Sequence, residues 1–449
     1  MSARVAFATL GCRLNQVDSQ QVQAALEARG FSTVPFGAPA DVVVVNTCTV
    51  TARAEVSDRQ AIRRARRANP DARVVVTGCW AQTSAGEVAR LPGVDLVVGN
   101  ADKERLPALV DEILSAPRGR TRIEIGDLRG ARVSTSDLPV RAFGRSRAFV
   151  KVQDGCQHRC AFCIVPQARG ASRSLGREHV VAQVRRLVDA GHPEITLTGV
   201  DLGHYGADLV PRTSLAALLR DLADIRGLRW LRLSSMLPAY FTDELLDLLT
   251  SAPAIAPHLH VPLQSGSNRV LRAMRRPYSV AMYRALIERL AGAIPRLGLG
   301  ADVIAGFPGE TDDDAHATEA LIDELPFTYL HVFPYSDRNG TEAAARGGKV
   351  DGATIAERAA RLRALGAAKA QAFRRSLVGR TEDVLVLQTR DRATGGLVGL
   401  TGSYVEVVFD GTDAEIRRVT RVRVTGVNGT VRGELSAMSL ASRQEAGAA

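Results

Sequence analysis

The sequence has no long apolar run and contains little cysteine and few aromatic residues. No window approaches the ~18 consecutive apolar residues of a membrane span, so we expect no membrane partner. Only six of the 449 residues are Cys, which excludes a disulfide-dense scaffold. Residues 1–7 run directly into a strand-like pattern without the layout of a signal peptide. We therefore expect a cytoplasmic protein whose cysteines are reduced or metal-bound.

Lysine is also scarce. Only four of the 58 cationic residues are Lys, and 48 acidic residues leave a formal net charge of +10. This balance fits a polyanionic partner such as nucleic acid. The excess of Arg over Lys, together with abundant Ala, is equally consistent with codon usage in a GC-rich genome, so charge alone leaves the partner open. Apolar residues make up 45% and charged residues 24% of the chain, as in soluble globular proteins.

The first three cysteines, Cys12, Cys48 and Cys79, each follow a short, β-rich apolar run. Such runs are typical of strands buried on both faces of a parallel sheet. Helical patterns at 18–29 and 52–68 lie between them and predict a doubly wound α/β domain. Because ligands bind outside the carboxyl ends of such strands, we expect the three cysteines to form one metal site. The alternative is three small buried apolar residues, since free Cys is commonly buried.

The second set, Cys156, Cys160 and Cys163, has the tight spacing C-x3-C-x2-C after another predicted strand. Haem attachment is excluded because Ile164, not His, follows Cys163. Zinc would require a fourth ligand such as His158, and no second cysteine pair follows. Three thiolates suit three irons of a cubane cluster and leave the fourth iron open to substrate. The motif favours an iron–sulfur cluster over zinc.

The second motif resembles that of the radical S-adenosylmethionine (SAM) superfamily, and the two sets together resemble the methylthiotransferase family. The resemblance covers residues 3 to about 438. The matching stretches are Thr-Leu-Gly-Cys-Arg-Leu-Asn-Gln-Val-Asp-Ser from Thr9, Asn-Thr-Cys-Thr-Val-Thr from Asn46, Thr-Gly-Cys-Trp-Ala-Gln from Thr77, Gly-Cys-Gln-His-Arg-Cys-Ala-Phe-Cys-Ile-Val-Pro from Gly155, His-Val-Pro-Leu-Gln-Ser-Gly-Ser from His260 and Asp-Val-Ile-Ala-Gly-Phe-Pro-Gly-Glu-Thr from Asp302.

The resemblance implies an α/β multidomain protein. Its expected parts are a doubly wound methylthiotransferase domain at 1–127, a linker at 128–145, a partial (β/α)6 radical-SAM barrel at 146–375, a small antiparallel OB-like β-barrel of the TRAM type at 376–440 and a disordered tail at 441–449. The sequence pattern agrees, because strands alternate with helices up to residue 333 and short strands separated by turn signals follow residue 376.

The resemblance implies two kinds of cofactor: two [4Fe–4S] clusters and SAM. Cys156, Cys160 and Cys163 would hold the radical-SAM cluster, and Cys12, Cys48 and Cys79 the auxiliary cluster. Thr198, Gly199 and Gly306 follow predicted strands and would contact SAM, although βα turns also need such residues. The sequence Leu-Thr-Gly-Val-Asp-Leu-Gly from Leu197 departs from the superfamily's Gly-Gly-Glu form, which puts the contact there in doubt.

The implied reaction replaces an inert C–H by C–SCH3. The family uses a 5′-deoxyadenosyl radical made from SAM to take the hydrogen atom, sulfur held on the auxiliary cluster, a second SAM as methyl donor and an external electron donor. The protein's task is to orient these cofactors and to exclude water and oxygen. We expect no catalytic side chain beyond the cluster ligands.

The substrate is expected to be the anticodon loop of tRNA. The stretch Leu-His-Val-Phe-Pro-Tyr-Ser from Leu330 resembles the branch acting at C2 of N6-threonylcarbamoyladenosine 37. Its carboxylate calls for cations and hydrogen-bond donors, and the candidates are His204, Tyr205 and Arg338, each of which is otherwise a surface residue. The alternatives are N6-isopentenyladenosine 37, a ribosomal protein aspartate, or a nucleic-acid-binding protein with structural or sensory clusters.

Two segments are candidates for RNA contact. Residues 53–73 hold seven Arg against three acids, and residues 417–423 hold four Arg within a terminal domain whose charge is otherwise balanced. Clustered Arg fits a phosphate backbone. A solvated helix face or turn explains either segment equally well.

Overall fold

The computed structural model describes residues 2–129 and 146–436. Most of the predicted linker and the whole predicted tail at 441–449 lie outside these residues. Within the two described ranges, no helix combines the length and the apolar character needed to cross a membrane.

The N-terminal part is a six-stranded parallel sheet with helices on both faces, as predicted. Val42–Thr47 is buried at every position, as expected for a central parallel strand. The strand order is β2-β1-β3-β4-β5-β6. The elements are β1 (Arg4–Thr9), α1 (Arg13–Ala28), β2 (Ser32–Val34), β3 (Val42–Thr47), α2 (Ala52–Ala68), β4 (Arg73–Gly78), α3 (Cys79–Thr83), α4 (Ala85–Ala89), β5 (Leu96–Val98), a 3-10 helix (Asn100–Arg105), α5 (Leu106–Ser115) and β6 (Arg122–Glu124).

Two features of this sheet differ from the sequence prediction. Helix α1 starts at Arg13 and not at residue 18. The prediction missed its first turns because they bury polar side chains, including Asn15 and Asp18. Apolar periodicity does not detect a helix whose inward face is polar. The short strands β2, β5 and β6 were also not predicted, because a strand of three residues is too short to show a pattern of apolar residues.

The central part is a partial barrel of six parallel strands. Two three-stranded sheets, β11-β10-β7 and β12-β13-β14, adjoin through a bridge between Leu231 and Ile255. The strands are β7 (Arg147–Lys151), β10 (Glu194–Thr198), β11 (Trp230–Leu233), β12 (His258–His260), β13 (Gly298–Ala305) and β14 (Tyr329–Pro334). The short strands β8 (Gln153–Asp154) and β9 (Arg173–Ser174) form a separate antiparallel pair between β7 and β10 in sequence. One large apolar core fills the space between strands and helices.

The barrel helices are α6 (Val165–Arg169), α7 (Arg177–Asp189), α8 (Leu215–Ala223), α9 (Asp243–Ser251), α10 (Asn268–Ala273), α11 (Val280–Ala293), α12 (Asp312–Glu324), α13 (Glu342–Ala345) and α14 (Gly352–Ser376), with 3-10 helices at Leu202–His204 and Pro238–Tyr240. Polar caps fix several starts, such as the reciprocal hydrogen bonds of Thr311 and Asp314 in α12. Helix α14 packs on β14 and leads to the last domain.

The C-terminal part is a closed antiparallel-rich barrel of five strands, which confirms the predicted architecture. Its elements are β15 (Thr381–Arg390), β16 (Leu397–Thr401), β17 (Glu406–Phe409), a 3-10 helix (Asp413–Glu415), β18 (Val419–Asn428) and β19 (Thr430–Leu435). The loop after β16 packs against the first residue of β13. A Cβ atom on Gly298 would lie 2.0 Å from the Ser403 carbonyl oxygen, so only Gly permits this approach.

The N-terminal domain covers the opening between the barrel's two edge strands, β7 and β14. Helix α1 packs on β7. On the other side, the Arg338 side chain, which follows β14, forms a 2.6 Å ion pair with Glu55 of α2. The Ala52 backbone N–H donates to the Ser336 hydroxyl at 3.1 Å. The opening is therefore spanned from both edges.

A buried ion pair fastens the C-terminal barrel to the central barrel. Arg232 and Glu194 are fully buried, with Arg232 Nε 2.9 Å from Glu194 Oε1. The same guanidinium donates to the carbonyls of Thr401 and Gly402 in the C-terminal barrel. Each nitrogen of the Arg232 guanidinium therefore contacts either Glu194 of the central barrel or a backbone carbonyl of the C-terminal barrel.

We predict that Arg232→Met destabilises the protein by about 3–5 kcal/mol, because Glu194 is left as a buried charge without its main partner. Thermal or urea unfolding measures the loss. The double variant Arg232→Met/Glu194→Gln should recover part of it, since it removes the stranded carboxylate. A single variant as stable as the wild type would contradict this account.

Candidate metal centres

The first three cysteines meet at one edge of the N-terminal sheet. Cys12, Cys48 and Cys79 follow β1, β3 and β4, which are neighbours in the sheet. Gly11, with φ +91°, lies so close that a Cβ atom there would be 2.7 Å from Cys48 Cβ. The thiols of Cys12 and Cys79 both influence the ionisation of Cys48. The structure therefore brings this set together as predicted.

The Cys48 and Cys79 thiols favour the protonated form when no metal is bound. Burial raises the pKa of Cys48 to about 12, and the neighbouring Cys79 adds to the effect. Burial also raises the pKa of Cys79, although the nearby Arg169 and Lys103 oppose the rise. Because metals bind thiolate, metal binding here would be coupled to proton release.

The second set lies in the loop that follows β7 and β8. Cys156, Cys160 and Cys163 line one cavity of about 430 Å³. Gly155, with φ +73°, precedes the set, and a Cβ there would be 1.9 Å from the Ala171 carbonyl oxygen, so the loop can fold tightly only with Gly. Burial raises the pKa of Cys156 to about 12 and that of Cys163 to about 11.

Two charged residues beside the second set were not predicted from the sequence. Arg276 is partly buried and its guanidinium lies 3.2 Å from Cys160 Sγ. Asp201 Oδ2 is 3.8 Å from Cys156 Sγ and accepts from the Tyr240 hydroxyl at 3.1 Å. Asp201 had a signal, because it is the acid in the stretch that departs from Gly-Gly-Glu. Arg276 lies in a basic run with no distinguishing pattern.

The alternative of a zinc site with His158 gains no support from the geometry. His158 Nε2 lies 2.8 Å from the Tyr240 hydroxyl and 3.3 Å from Asp201 Oδ2. The imidazole is therefore engaged by neighbours other than the cysteines. Only the His158 backbone N–H approaches the set, at 3.4 Å from Cys156 Sγ.

The residues expected to contact SAM lie at strand ends near the second set. Thr198 is the last residue of β10, and Gly199 follows it with its N–H 3.4 Å from the Ser234 hydroxyl. Gly306 follows β13 and its N–H donates to Glu310 Oε1 at 3.0 Å. These positions agree with the prediction, and the contact with SAM stays a prediction.

The three candidates for the substrate carboxylate have different surroundings. The prediction is wrong for Tyr205, which is 2% exposed and donates to the Leu175 carbonyl at 2.8 Å as a core residue. Arg338 is used in the ion pair with Glu55. His204 lies beside the cysteine loop, with its ring nitrogens near Ser172 and Gln157.

Between the two cysteine sets lies a group of five charged side chains, here named the buried ionic cluster: Asp18 and Lys103 of the N-terminal domain, and Lys151, Asp154 and Arg169 of the barrel. Asp18 binds Lys151 at 2.6 Å, Lys103 at 2.8 Å and Arg169 at 3.0 Å. Arg169 also binds Asp154 at 2.9 Å. Burial would raise the pKa of Asp18, but its three cationic partners hold it well below the usual range.

The buried ionic cluster leaves positive charge beside the first cysteine set, because it has three cations and two carboxylates. Arg169 hydrogen-bonds the Cys79 thiol, and the charge of Cys12 also acts on Arg169. A cation beside a cysteine stabilises the thiolate form. At the second set, the Arg276 guanidinium likewise lies within hydrogen-bond distance of the Cys160 sulfur. Both sets therefore suit an anionic metal–thiolate centre.

We predict that Arg169→Met costs about 3–5 kcal/mol of stability, because two buried carboxylates lose a shared partner. The matched control is Arg29→Met, whose ion pair with Asp111 is nearly half exposed and should contribute about 0–1 kcal/mol. Urea unfolding compares the two. Equal losses would show that the buried ionic cluster does not stabilise the docked domains.

Comparison with protein-family models finds two matches. Residues 4–99 match the uncharacterized protein family UPF0004, and residues 150–322 match the radical SAM superfamily. Among solved structures, the radical SAM methyltransferase TsrM from Kitasatospora setae with cobalamin and a [4Fe-4S] cluster aligns with a TM-score of 0.55 at 19% identity, over 77% of each chain. At that identity the likeness concerns the fold alone.

Curated relatives match over nearly the whole chain. The threonylcarbamoyladenosine tRNA methylthiotransferase MtaB of Bacillus subtilis (strain 168) is 40% identical over 94% of each chain. MtaB of Aquifex aeolicus is 39% identical over 94% of this chain and all of its own. The tRNA-2-methylthio-N(6)-dimethylallyladenosine synthase of Parafrankia sp. is 36% identical over 91% of this chain and 83% of its own. Relatives of this coverage and identity, together with the radical SAM match, leave one conclusion: the chain belongs to the radical SAM methylthiotransferase family.

Proposed function

We propose that this protein is a tRNA methylthiotransferase that converts C2–H to C2–SCH3 in N6-threonylcarbamoyladenosine 37. The observation that carries the proposal is the meeting of the two cysteine sets across one domain interface. Helix α3, which begins at Cys79, packs on α6, which begins two residues after Cys163. The Asn100 side chain donates to the Ala168 carbonyl at 2.7 Å and lies 3.8 Å from Cys79 Sγ. A reaction that needs two metal centres on one substrate requires such proximity.

Family membership brings a [4Fe–4S] cluster and SAM, and the second cluster is part of the proposal. Cys156, Cys160 and Cys163 would hold the first, and Cys12, Cys48 and Cys79 the second. When bound, these groups supply a 5′-deoxyadenosyl radical and the sulfur. The chain's own residues would orient these groups and compensate their charge through Arg169, Lys103 and Arg276.

SAM would occupy the carboxyl ends of the barrel strands beside Cys156. Its ammonium group requires an anion, and Asp201 supplies one that is 5% exposed and held by Tyr240. Thr198 and Gly199 precede Asp201 at the same strand end, and Gly306 follows β13 on the opposite side. This arrangement supports SAM contacts by Thr198, Gly199 and Gly306 around the open iron position.

The tRNA anticodon loop would enter from the solvent side of the interface, with electrons from an external donor. Of the seven Arg of residues 53–73, several have structural partners: Arg59 lies over Trp80 and pairs with Glu87, and Arg73 pairs with Asp95. Arg63 and Arg67 remain exposed one turn apart. Arg423 projects from the exposed face of β18, where Arg421 lies 3.7 Å from Asp383. Arg63, Arg67 and Arg423 are suitable phosphate contacts.

Replacing Cys156, Cys160 and Cys163 together by Ala should remove about half of the iron, since each set holds one cluster. SAM cleavage should be lost as well. Iron analysis and chromatography of 5′-deoxyadenosine after anaerobic reconstitution measure both effects. SAM cleavage near the wild-type rate would exclude these residues as the ligands.

The matched control is the triple variant of the first set, Cys12→Ala/Cys48→Ala/Cys79→Ala. It should also lose about half of the iron but keep SAM cleavage, because the second set lies in the other domain. Methylthio transfer should stop. Unchanged iron content would show that these three cysteines are not ligands.

The substrate is tested in a strain lacking the gene, by mass spectrometry of tRNA nucleosides. We expect 2-methylthio-N6-threonylcarbamoyladenosine to disappear. Its precursor, N6-threonylcarbamoyladenosine, should accumulate, because the strain lacks only the methylthiolation step. Complementation with the wild-type gene is the control. If the methylthio-isopentenyl nucleoside disappears instead, the protein belongs with its dimethylallyladenosine-modifying relatives.

A further inference from the structure

A cavity of about 360 Å³ lies at the barrel's side opening, between the edge strands and the C-terminal barrel. This lateral cavity is lined by Arg147 of β7, Tyr329 and His331 of β14, Arg374 of α14 and Tyr404 of the C-terminal barrel. Arg147 and Tyr329 are the first residues of their strands. The lateral cavity therefore lies toward the amino ends of the strands, whereas the cysteine sets lie at the carboxyl ends.

A chain of polar contacts holds His331 in the wall of the lateral cavity. Asp302 Oδ1 lies 3.3 Å from His331 Nδ1 and 3.0 Å from His260 Nε2. The other nitrogen of His260 is 3.0 Å from the Tyr329 hydroxyl, which His258 also contacts at 2.9 Å. The ring of His331 is thus oriented by Asp302 before any ligand arrives.

The free edge of this imidazole faces the opening. The His331 side chain is 56% exposed, and its Nε2 has no hydrogen-bond partner among residues 2–129 and 146–436. An imidazole that donates through Nδ1 to one carboxylate can donate through Nε2 to a second one, as His⁺ does.

The opposite wall carries guanidinium groups. Arg147 lies 5.4 Å from the centre of the Tyr404 ring, and its Nη1 lies 3.8 Å from Glu194 Oε1. Arg13, the residue after Cys12, reaches the Tyr404 hydroxyl at 2.9 Å. Glu406 is the one acidic residue lining the lateral cavity within the described ranges. The walls thus offer more positive than negative charge.

We propose, on the basis of the proposed function, that the lateral cavity binds the N6 substituent of the substrate adenosine, with His331 and Arg147 recognising its carboxylate. In adenine the C2–H and C6–N6 bonds point in different directions. A base with C2 at the cysteine sets can therefore direct its N6 substituent toward the amino ends of the strands. Seating an apolar isopentenyl group there would leave these polar groups unpaired, which is costly.

The test uses a synthetic anticodon stem-loop carrying threonylcarbamoyladenosine and the same RNA with that carboxylate as its methyl ester, which removes the negative charge and adds one methyl group. Anaerobic holoenzyme is titrated with each RNA by fluorescence anisotropy. The wild type should bind the acid at least about tenfold more tightly than the ester, as expected for a charge-assisted contact. His331→Ala should lose most of this preference, and His331→Gln should keep an intermediate preference.

His316→Ala is the matched control, because His316 is an exposed histidine on α12 outside the lateral cavity. It should retain the wild-type preference. Thermal melting shows whether each variant is folded. A folded His331→Ala variant with the full preference for the acid would overturn the proposed pocket while leaving the proposed function intact. Wild-type enzyme that methylthiolates only isopentenyladenosine RNA would overturn both.

Discussion

The buried ionic cluster is the interaction on which the arrangement of both centres depends. Asp18 and Lys103 come from one domain, and Lys151, Asp154 and Arg169 from the other, so the two cations of the barrel exceed its one carboxylate until Asp18 docks against them. Because docking removes these groups from water, an arrangement that left one of them without a partner would cost several kcal/mol. Because α6 carries Arg169 and starts beside Cys163, the same contact that joins the domains also sets the second cysteine set against Cys79.

Topology explains why so few residues suffice to build the centres. In the N-terminal sheet and in the barrel, parallel strands bring their carboxyl ends to one side, and the residues that follow them converge there whatever their separation in sequence. Cys12 and Cys79 are 67 positions apart and still share one site, because β1 and β4 are separated only by β3. The interface then needs only to place the two strand-end regions face to face.

The sequence predicted the parts that depend on local pattern. The apolar run before Cys48 and the helix over 52–68 are read from neighbouring residues, and the structure confirms both. Tyr205, Arg276 and the start of α1 required knowledge of what lies opposite. Tyr205 is a core residue because the Leu175 carbonyl accepts its hydroxyl. The polar face of α1 makes sense only against Lys151 and Arg169, which are more than 130 positions away.

Cationic side chains outnumber their acidic partners at both places where we propose that an anionic group binds. This excess occurs beside Cys79, where Arg169 and Lys103 face a thiol, and again around Tyr404, where Arg13, Arg147 and Arg232 meet. Burial would raise the pKa of Tyr404, yet these guanidinium groups lower it below its ordinary value. Arg13 comes from the N-terminal domain, Arg147 and Arg232 from the barrel, and Tyr404 from the C-terminal barrel. An anion arriving here would relieve repulsion among guanidinium groups of two domains that meet on the Tyr404 ring of the third, so the charge that recognises a substrate would also hold these domains together around it.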